Sequence, residues 1–424
     1  MNGEFDPATA PLAAQEGMLA EAAEAPVRPR GRLGLVLLAG SLLLMALNLR
    51  ASVTSIGPVL PDVMRGTGLS AAGASVLTTL PSLCFGLFGA AAPFLARRVG
   101  IERALLLMLA VLVAGTALRG IPAAALLFAG QIIACGGIAV VNVLLPSLVK
   151  RDFPRHMARM TGLYTMVMAT GAAGAAAATV PLKLAFGGSW SAALAFWAIP
   201  AALAGVIWAV LMPRRTGHAM AARYVVRGLW RDPLAWQVTL FMGLQSSQAY
   251  IVFGWLAPML RDRGLSPVHA GLVLSVSVLS QAPASLLAPM LATRGRSQSV
   301  WAVGAMVLAA VGLVGCLYAP LGSVWGWAFV LGVGQGSVFS IALMLIVLRA
   351  PDSHVAAYLS GMAQGVGYVL ASGGPLAAGL LHGWTGSWTA VAAFFVGISV
   401  VAGFIGTAAG RDRLVRAVSV RVAG

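Results

Sequence analysis

Long apolar runs separated by short polar connections dominate the chain after residue 31. Twelve such runs are legible, at roughly 34–63, 71–96, 102–120, 123–149, 157–182, 190–212, 234–259, 267–292, 299–319, 323–348, 355–381 and 387–409. Each is long enough for a helix to cross the hydrocarbon layer, which takes about 20 residues. None shows the short apolar–polar alternation of a barrel strand, which excludes a transmembrane β-barrel. The pattern predicts an all-α integral membrane protein with twelve transmembrane helices. The longest connection, 213–233, divides them into a six-helix bundle over 32–212 and another over 234–410. Residues 1–31 and 411–424 are expected to be cytoplasmic tails, the first of them disordered.

Composition agrees with this reading: 59% of the 424 residues are hydrophobic and 9% are charged. The net charge of +16 would in a soluble protein raise the question of nucleic acid. Its distribution gives a simpler answer. If the twelve helices alternate in direction, 22 of the 28 Lys and Arg fall on the side of the termini, five on the other, and Arg50 alone lies within a helix. That asymmetry is the positive-inside signal. It predicts both termini in the cytoplasm of a bacterial inner membrane, and no nucleic-acid partner. The first residues carry Glu4, Asp6, Glu16, Glu21 and Glu24, unlike the basic start of a secretory signal. Cys84, Cys135 and Cys316 all sit in apolar segments without metal-type spacing and read as small core residues.

The two halves share weak internal similarity. GPVLPDVM at 57–64 lies opposite APMLRDRG at 257–264, and APFLARR at 92–98 opposite APMLATR at 288–294. Ordered matches of this kind indicate a duplicated six-helix unit, the pattern of major facilitator transporters, two pseudo-symmetric bundles around a midplane site. In such a bundle the first helix of each three-helix repeat lines the cavity. The polar residues of those helices are Asn48, Arg50 and Thr54, then Asn142, then Gln245, Gln248 and Tyr250, then Gln335. Tyr164, Gln364 and Tyr368 join them from helices 5 and 11, and Trp255 is a candidate wall. A shift of 200 sets Asn48 opposite Gln248 and Arg50 opposite Tyr250.

Arg50 changes the picture most. A charge at the bilayer centre costs about 3 kcal/mol on insertion scales. All twelve acids lie in tails, loops or helix ends, so none is placed to neutralise it within the membrane. An always-charged planar fork facing an aqueous cavity is suited to a carboxylate or other small oxyanion. The sequence therefore predicts a small anionic substrate anchored on Arg50, with the neutral polar residues orienting it. No P-loop, G-x-S-x-G, H-E-x-x-H or embedded carboxylate pair occurs, so an enzyme, a cofactor and a metal site are not expected. Export of cationic drugs, which usually relies on an embedded acid, is disfavoured too.

LNLRASVTSIGPVLPDV in helix 1, NVLLPSLVKRDFP at 142–154, GLYTMVMATGAA at 162–173, WQVTLFMGLQSSQAYIVFGWLAPMLRDRGLS at 236–266 and GPLAAGLLHGWTGSW at 374–388 resemble the cyanate/2-nitroimidazole transporter family of the major facilitator superfamily. The resemblance implies a two-bundle carrier working by alternating access, as a monomer, on a small anion or small polar organic molecule. Cyanate-like ions and small carboxylates are the first candidates, and export of a neutral nitroimidazole is the alternative. ARRVGIER at 96–103 departs from the usual loop between helices 2 and 3, with Arg97 in its acidic position. From topology, Arg97 or Arg98 is expected to pair with Asp352 as a cytoplasmic gate, and Asp62 with Arg261 or Arg263 as the opposite gate.

Overall fold

The computed structural model describes residues 32–153, 156–211, 224–295 and 297–421. The helices, in chain order, are α1 Arg32–Thr54, α2 Ile56–Thr67, α3 Ala71–Phe88, α4 Ala92–Val99, α5 Ile101–Leu118, α6 Ala124–Asp152, α7 Met157–Ala185, α8 Trp190–Phe196 and α9 Ala198–Leu211 in the first half. The second half has α10 Pro233–Asp262, α11 Pro267–Ala292, α12 Ser299–Tyr318, α13 Val324–Leu348, α14 Ser353–Ala371, α15 Gly373–Thr385 and α16 Trp388–Ala409. Their starts are written in the sequence. Ser70, Ser189, Asp232, Ser266, Asp352 and Ser387 each accept a backbone N–H of the first turn, and proline opens α10 and α11, where its missing N–H costs nothing.

Each of the twelve expected segments is helical. Among the described residues, ten spans are both long and apolar enough to cross a membrane. The two that fall short are α10 and the α14–α15 pair, which is interrupted at Ser372. They carry Gln245, Ser246, Ser247 and Gln248, and Gln364 and Tyr368, respectively. A helix whose polar face turns into a bundle gives up mean hydropathy for that face.

The first helix breaks at Ser55 and resumes as α2 to Thr67, beyond the expected end at 63. Pro58 and Pro61 have no N–H to offer the carbonyls one turn before them. Just ahead of the break, the Ser52 carbonyl accepts from Arg119, at 2.8 Å. Arg119 stands in the turn that closes α5, as the charge count places it, but its side chain is fully buried, and it donates also to Gln131 and the Leu194 carbonyl. The linker and the C-terminal tail meet in a two-stranded sheet. Strand β1 (Tyr224–Arg227) pairs antiparallel with β2 (Val418–Arg421), in register Tyr224 to Arg421.

The two halves meet where their backbones approach closely. A Cβ on Gly57 (α2) would collide with the Phe253 carbonyl (α10), and one on Gly271 (α11) would stand 2.6 Å from the Ala176 carbonyl (α7). Gly383 (α15) faces Ala71 (α3) in the same way, and Gly86 (α3) meets Gly365 (α14) nearer the middle. One core cluster unites residues of both halves, including Val59, Leu60, Met259 and Leu260 at the end opposite the termini. A second draws only on residues from Val226 onward. The halves thus share a core toward the far end, and the second half has a core of its own besides. Gly57→Val should lower the thermal midpoint by several degrees, an overpacking cost of about 1–3 kcal/mol. Gly40→Val, where nothing lies within 4 Å, serves as control in the same melting experiment. Equal midpoints would remove Gly57 from the list of contacts that hold the halves together.

Candidate substrate site

Arg50 leaves α1 half-buried, with its Nε buried and unpartnered. No ion pair to it forms among the described residues. The guanidinium lies over the Phe253 ring, 5.9 Å from its centroid, within the range of a cation–π contact. Phe253 is one helical turn from Tyr250 on α10, and their rings meet edge-on at 5.8 Å. Tyr250 is itself buried, and its hydroxyl has no partner. Its ring also meets Tyr368 of α14 at 6.3 Å and Phe85 of α3 at 6.2 Å, while Phe85 and Tyr368 stand 6.0 Å apart, all edge to face. Arg50 and Phe85 come from the first half, and Tyr250, Phe253 and Tyr368 from the second. The arrangement is a cation and a polar hydroxyl set against four aromatic rings at the junction of the halves. It can stack a planar group while donating to its oxygens.

Several residues expected at this site are engaged elsewhere. Asn48 Nδ2 donates to the Leu44 carbonyl at 2.8 Å and the Pro200 carbonyl of α9 at 3.2 Å. Two residues from Arg50, it lies on the other side of the helix. Thr54 donates within reach of the Arg50 and Ala172 carbonyls, which ties α1 to α7. Gln245 spends its amide on the Met242 carbonyl and Ser246. Gln248 donates to the Phe395 carbonyl and Ser399 of α16, although its Oε1 is unpartnered. Gln335 donates to the Gln248 carbonyl and accepts from Gln281, so it joins α13 to α10 and α11. Trp255 donates to the Pro375 carbonyl at 3.1 Å and packs on Trp388. These side chains hold helices to one another. Gln364 is half-buried one turn before Tyr368, its amide on Ser360. Asn142 is half-buried on α6 and Tyr164 buried on α7.

At the far end, Asp62 receives three cations. Arg65 of its own helix, Lys183 of α7 at 2.9 Å and Arg261 of α10 at 3.0 Å all reach its carboxylate. Arg261 crosses between halves and donates also to the Pro58 carbonyl. Burial pushes the Asp62 carboxyl up, but the hydrogen bonds from Lys183 and Arg261 and their charges outweigh it, and the pKa falls below its ordinary value. Arg263, the other expected partner, instead donates to the Cys316 and Ala319 carbonyls at the end of α12. The expected Arg98–Asp352 pair does not form. Arg98 lies on the Phe94 ring of its own helix, and Asp352 caps α14 and accepts from Ser419. The Arg97 side chain lies outside the described residues.

Phe85, Phe253 and Lys183 were not anticipated. Phe253 carried a usable signal, its spacing of three from Tyr250. Phe85 carried none, because a phenylalanine in an apolar helix looks like core. Among known proteins, residues 42–372 match the model of the Major Facilitator Superfamily. The 2-nitroimidazole transporter of Escherichia coli (strain K12) is 39% identical over 91% of this chain and 98% of that protein. The cyanate transport protein CynX of the same organism is 28% identical over 85% and 94%. A solved bacterial homolog of the human lysosomal transporter Spinster, in an inward-facing and occupied conformation, superposes with a TM-score of 0.71, at 16% identity, over 90% of this chain and 97% of that one. The chain is a multi-pass membrane transporter of the major facilitator superfamily, and within it belongs to the cyanate/2-nitroimidazole transporter family.

Proposed function

We propose that this transporter carries a small planar anion by alternating access, binding it between Arg50 and the ring cluster of Phe85, Tyr250, Phe253 and Tyr368. The observation that carries the reading is a membrane-embedded guanidinium with no carboxylate partner among the described residues. An anionic solute neutralises that charge and takes the open Nε–H, while the Tyr250 hydroxyl and Gln364 are placed to complete its hydrogen bonds. Both termini lie in the cytoplasm, on the positive-inside asymmetry, and one chain is the working unit. A neutral nitroimidazole is the second reading, favoured by the ring cluster and by what the relative at 39% identity is named for. A nitro group presents two oxygens in a plane much as a carboxylate does.

Losing a hydrogen bond to a charged group costs about 1.5–3 kcal/mol, so Arg50→Ala should weaken substrate binding about 10- to 100-fold. Arg50→Lys, which keeps the charge but not the planar fork, should retain part of it. Thermal-shift titration with cyanate, small aromatic carboxylates and 2-nitroimidazole reads both variants, since a ligand that binds the folded state stabilises it by RT ln(1 + [L]/Kd). Unchanged binding in Arg50→Ala would end the anchor reading. Competition by anions separates the first substrate class from the second.

The Asp62 cluster is the far gate of this cycle, with Arg261 as the contact that must part when the halves separate. Exchanging the two charges, Asp62→Arg with Arg261→Asp, should restore part of the transport that either reversal alone abolishes. Failure of the exchange to rescue would argue against the pair as a gate. The pH dependence has a definite sign. A carboxyl whose pKa is lowered in the closed form stabilises that form above its ordinary pKa, about 3.9. That stabilisation is lost as pH falls through the lowered value. The difference in thermal midpoint between wild type and Asp62→Asn should therefore be constant from pH 8 to 5 and shrink below about 4. A difference that already vanishes at pH 6 would contradict the direction given for Asp62.

A further inference from the structure

His382 sits in the last turn of α15, at the far end and outside the substrate site. Its imidazole is stacked on the Trp388 indole, with centroids 3.6 Å apart and planes 7° from parallel. Trp388 in turn donates its Nε1–H to Asp262 Oδ2 at 2.8 Å. The Nδ1 of His382 is buried and has no partner. The same helix turn forms part of the closure between the halves, since Gly383 packs against Ala71 of α3, and Gly379 one turn earlier against Ser75.

These features describe a base kept from its proton by packing. The elements against α15 are α3 and α16, which carry no charged residue, the far end of α10, and α14. α10 contributes Asp262 and Arg261, and its cap Arg263 is turned to α12. The titratable groups of α14, His354, Tyr358 and Tyr368, lie about four to eight turns' length of chain before His382, on the side of the termini and the midplane. Burial pulls the imidazole below its ordinary 6.5, against the opposing pull of Asp262 and a hydrogen bond with the Ser387 backbone. The contacts with α3 lie beside the histidine, at Gly383 and Gly379, so parting α15 from α3 uncovers the turn that carries Nδ1 and lowers its desolvation penalty. The protonated ring keeps two favourable neighbours, an indole face for a cation–π contact and a carboxylate behind it.

We propose that His382 is a proton-binding site on the far closure, neutral while the halves are shut and protonated when they open, so that a drop in pH on that side favours the open form. The inference rests on the alternating-access reading. The sign follows from linkage: a base with the lower pKa in the closed state stabilises that state above its open-state pKa, and this stabilisation is lost as pH falls through about 6.5. It gives a carrier without an embedded carboxylate pair a means of responding to protons. Its protonation also adds positive charge at the mouth that an anion must enter.

The test is maleimide labelling of Ala71→Cys, a position the Gly383 contact covers, in membranes between pH 7.5 and 5.5. The rate is normalised at each pH to Ala72→Cys, which is exposed in the same turn. The native cysteines are buried and give low background. The normalised rate should rise at least threefold as pH falls, and His382→Gln should flatten that rise. Asp262→Asn should move its midpoint to lower pH. Equal melting of wild type and His382→Gln at pH 7.5 establishes that the variant folds. His382→Phe, which keeps the stack on Trp388, should be flat as well. A rise that persists in both variants overturns the proposal, and so does a flat wild-type profile. Substrate binding by thermal shift reads Arg50 independently, so loss of the pH response with binding intact separates this inference from the proposed substrate site.

Discussion

A guanidinium cannot be deprotonated to escape a membrane interior, and the organisation of this bundle follows from how two of them are accommodated. Arg119 is held by protein through its two terminal nitrogens, although its Nε, like that of Arg50, has no partner. It donates to the Ser52 and Leu194 carbonyls and to Gln131, has no exposed surface, and joins three helices of the first half. Arg50 is left open, with a ring face below it and a free Nε. The two differ in what they can do. A cation whose terminal nitrogens are taken up by two backbone carbonyls and an amide oxygen is a fastening, whereas one whose described support is a ring face has capacity left for a solute.

Duplication supplies the frame in which that difference arises. Asn48 ties the first helix of its half to the Pro200 carbonyl of α9. At a shift of 200, Gln248 ties the first helix of the second half to the Phe395 carbonyl of α16. Near the other ends of the helices, Arg151 pairs with Glu102 and Arg349 with Gln298. The fastenings are thus repeated with similar chemistry. The site positions are not: Arg50 in one half stands against Tyr250 in the other. Conserving the tethers while letting the facing residues diverge turns a symmetric bundle into an asymmetric site, with the charge contributed by one half and most of the aromatic surface by the other.

This division explains what the sequence made legible. Helix positions follow from hydrophobic length, a property of each segment alone, so all twelve segments could be read without tertiary information. Arg50 could be read because its cost is intrinsic. The neutral amides could not be sorted, because Asn48 and Gln248 differ from true cavity residues only in which side of the helix meets which neighbour. The burial of Arg119 was not legible, because a charge at a helix end looks solvated until the carbonyls that receive it are known. Phe85 was invisible for the opposite reason, being an apolar residue whose role comes from its partners. Lys183 was counted for topology, and only the fold brings it to Asp62.

The far closure shows how such a bundle can stay switchable. Buried ion pairs are strongly destabilised when one partner is removed, because the other charge is left alone in a poor solvent. A gate built from one carboxylate and one arginine would face that cost whenever the halves separated. Asp62 instead keeps Arg65 and Lys183, both from its own half, when Arg261 departs with α10. The carboxylate is never orphaned, and Arg261 lies at the mouth, where water can solvate it. Under the proposed gating, opening loses one of the three partners together with the glycine-mediated contacts of Gly57, Gly271 and Gly383 and the shared core around Val59, Leu60, Met259 and Leu260. Those contacts are apolar or backbone in character and form again without desolvating a second charge. A difference of a few kcal/mol between closed and open is what a bound solute of ordinary affinity can overcome. On the proposed function, a closure of that size answers to a single anion on Arg50 rather than acting as a permanent lock.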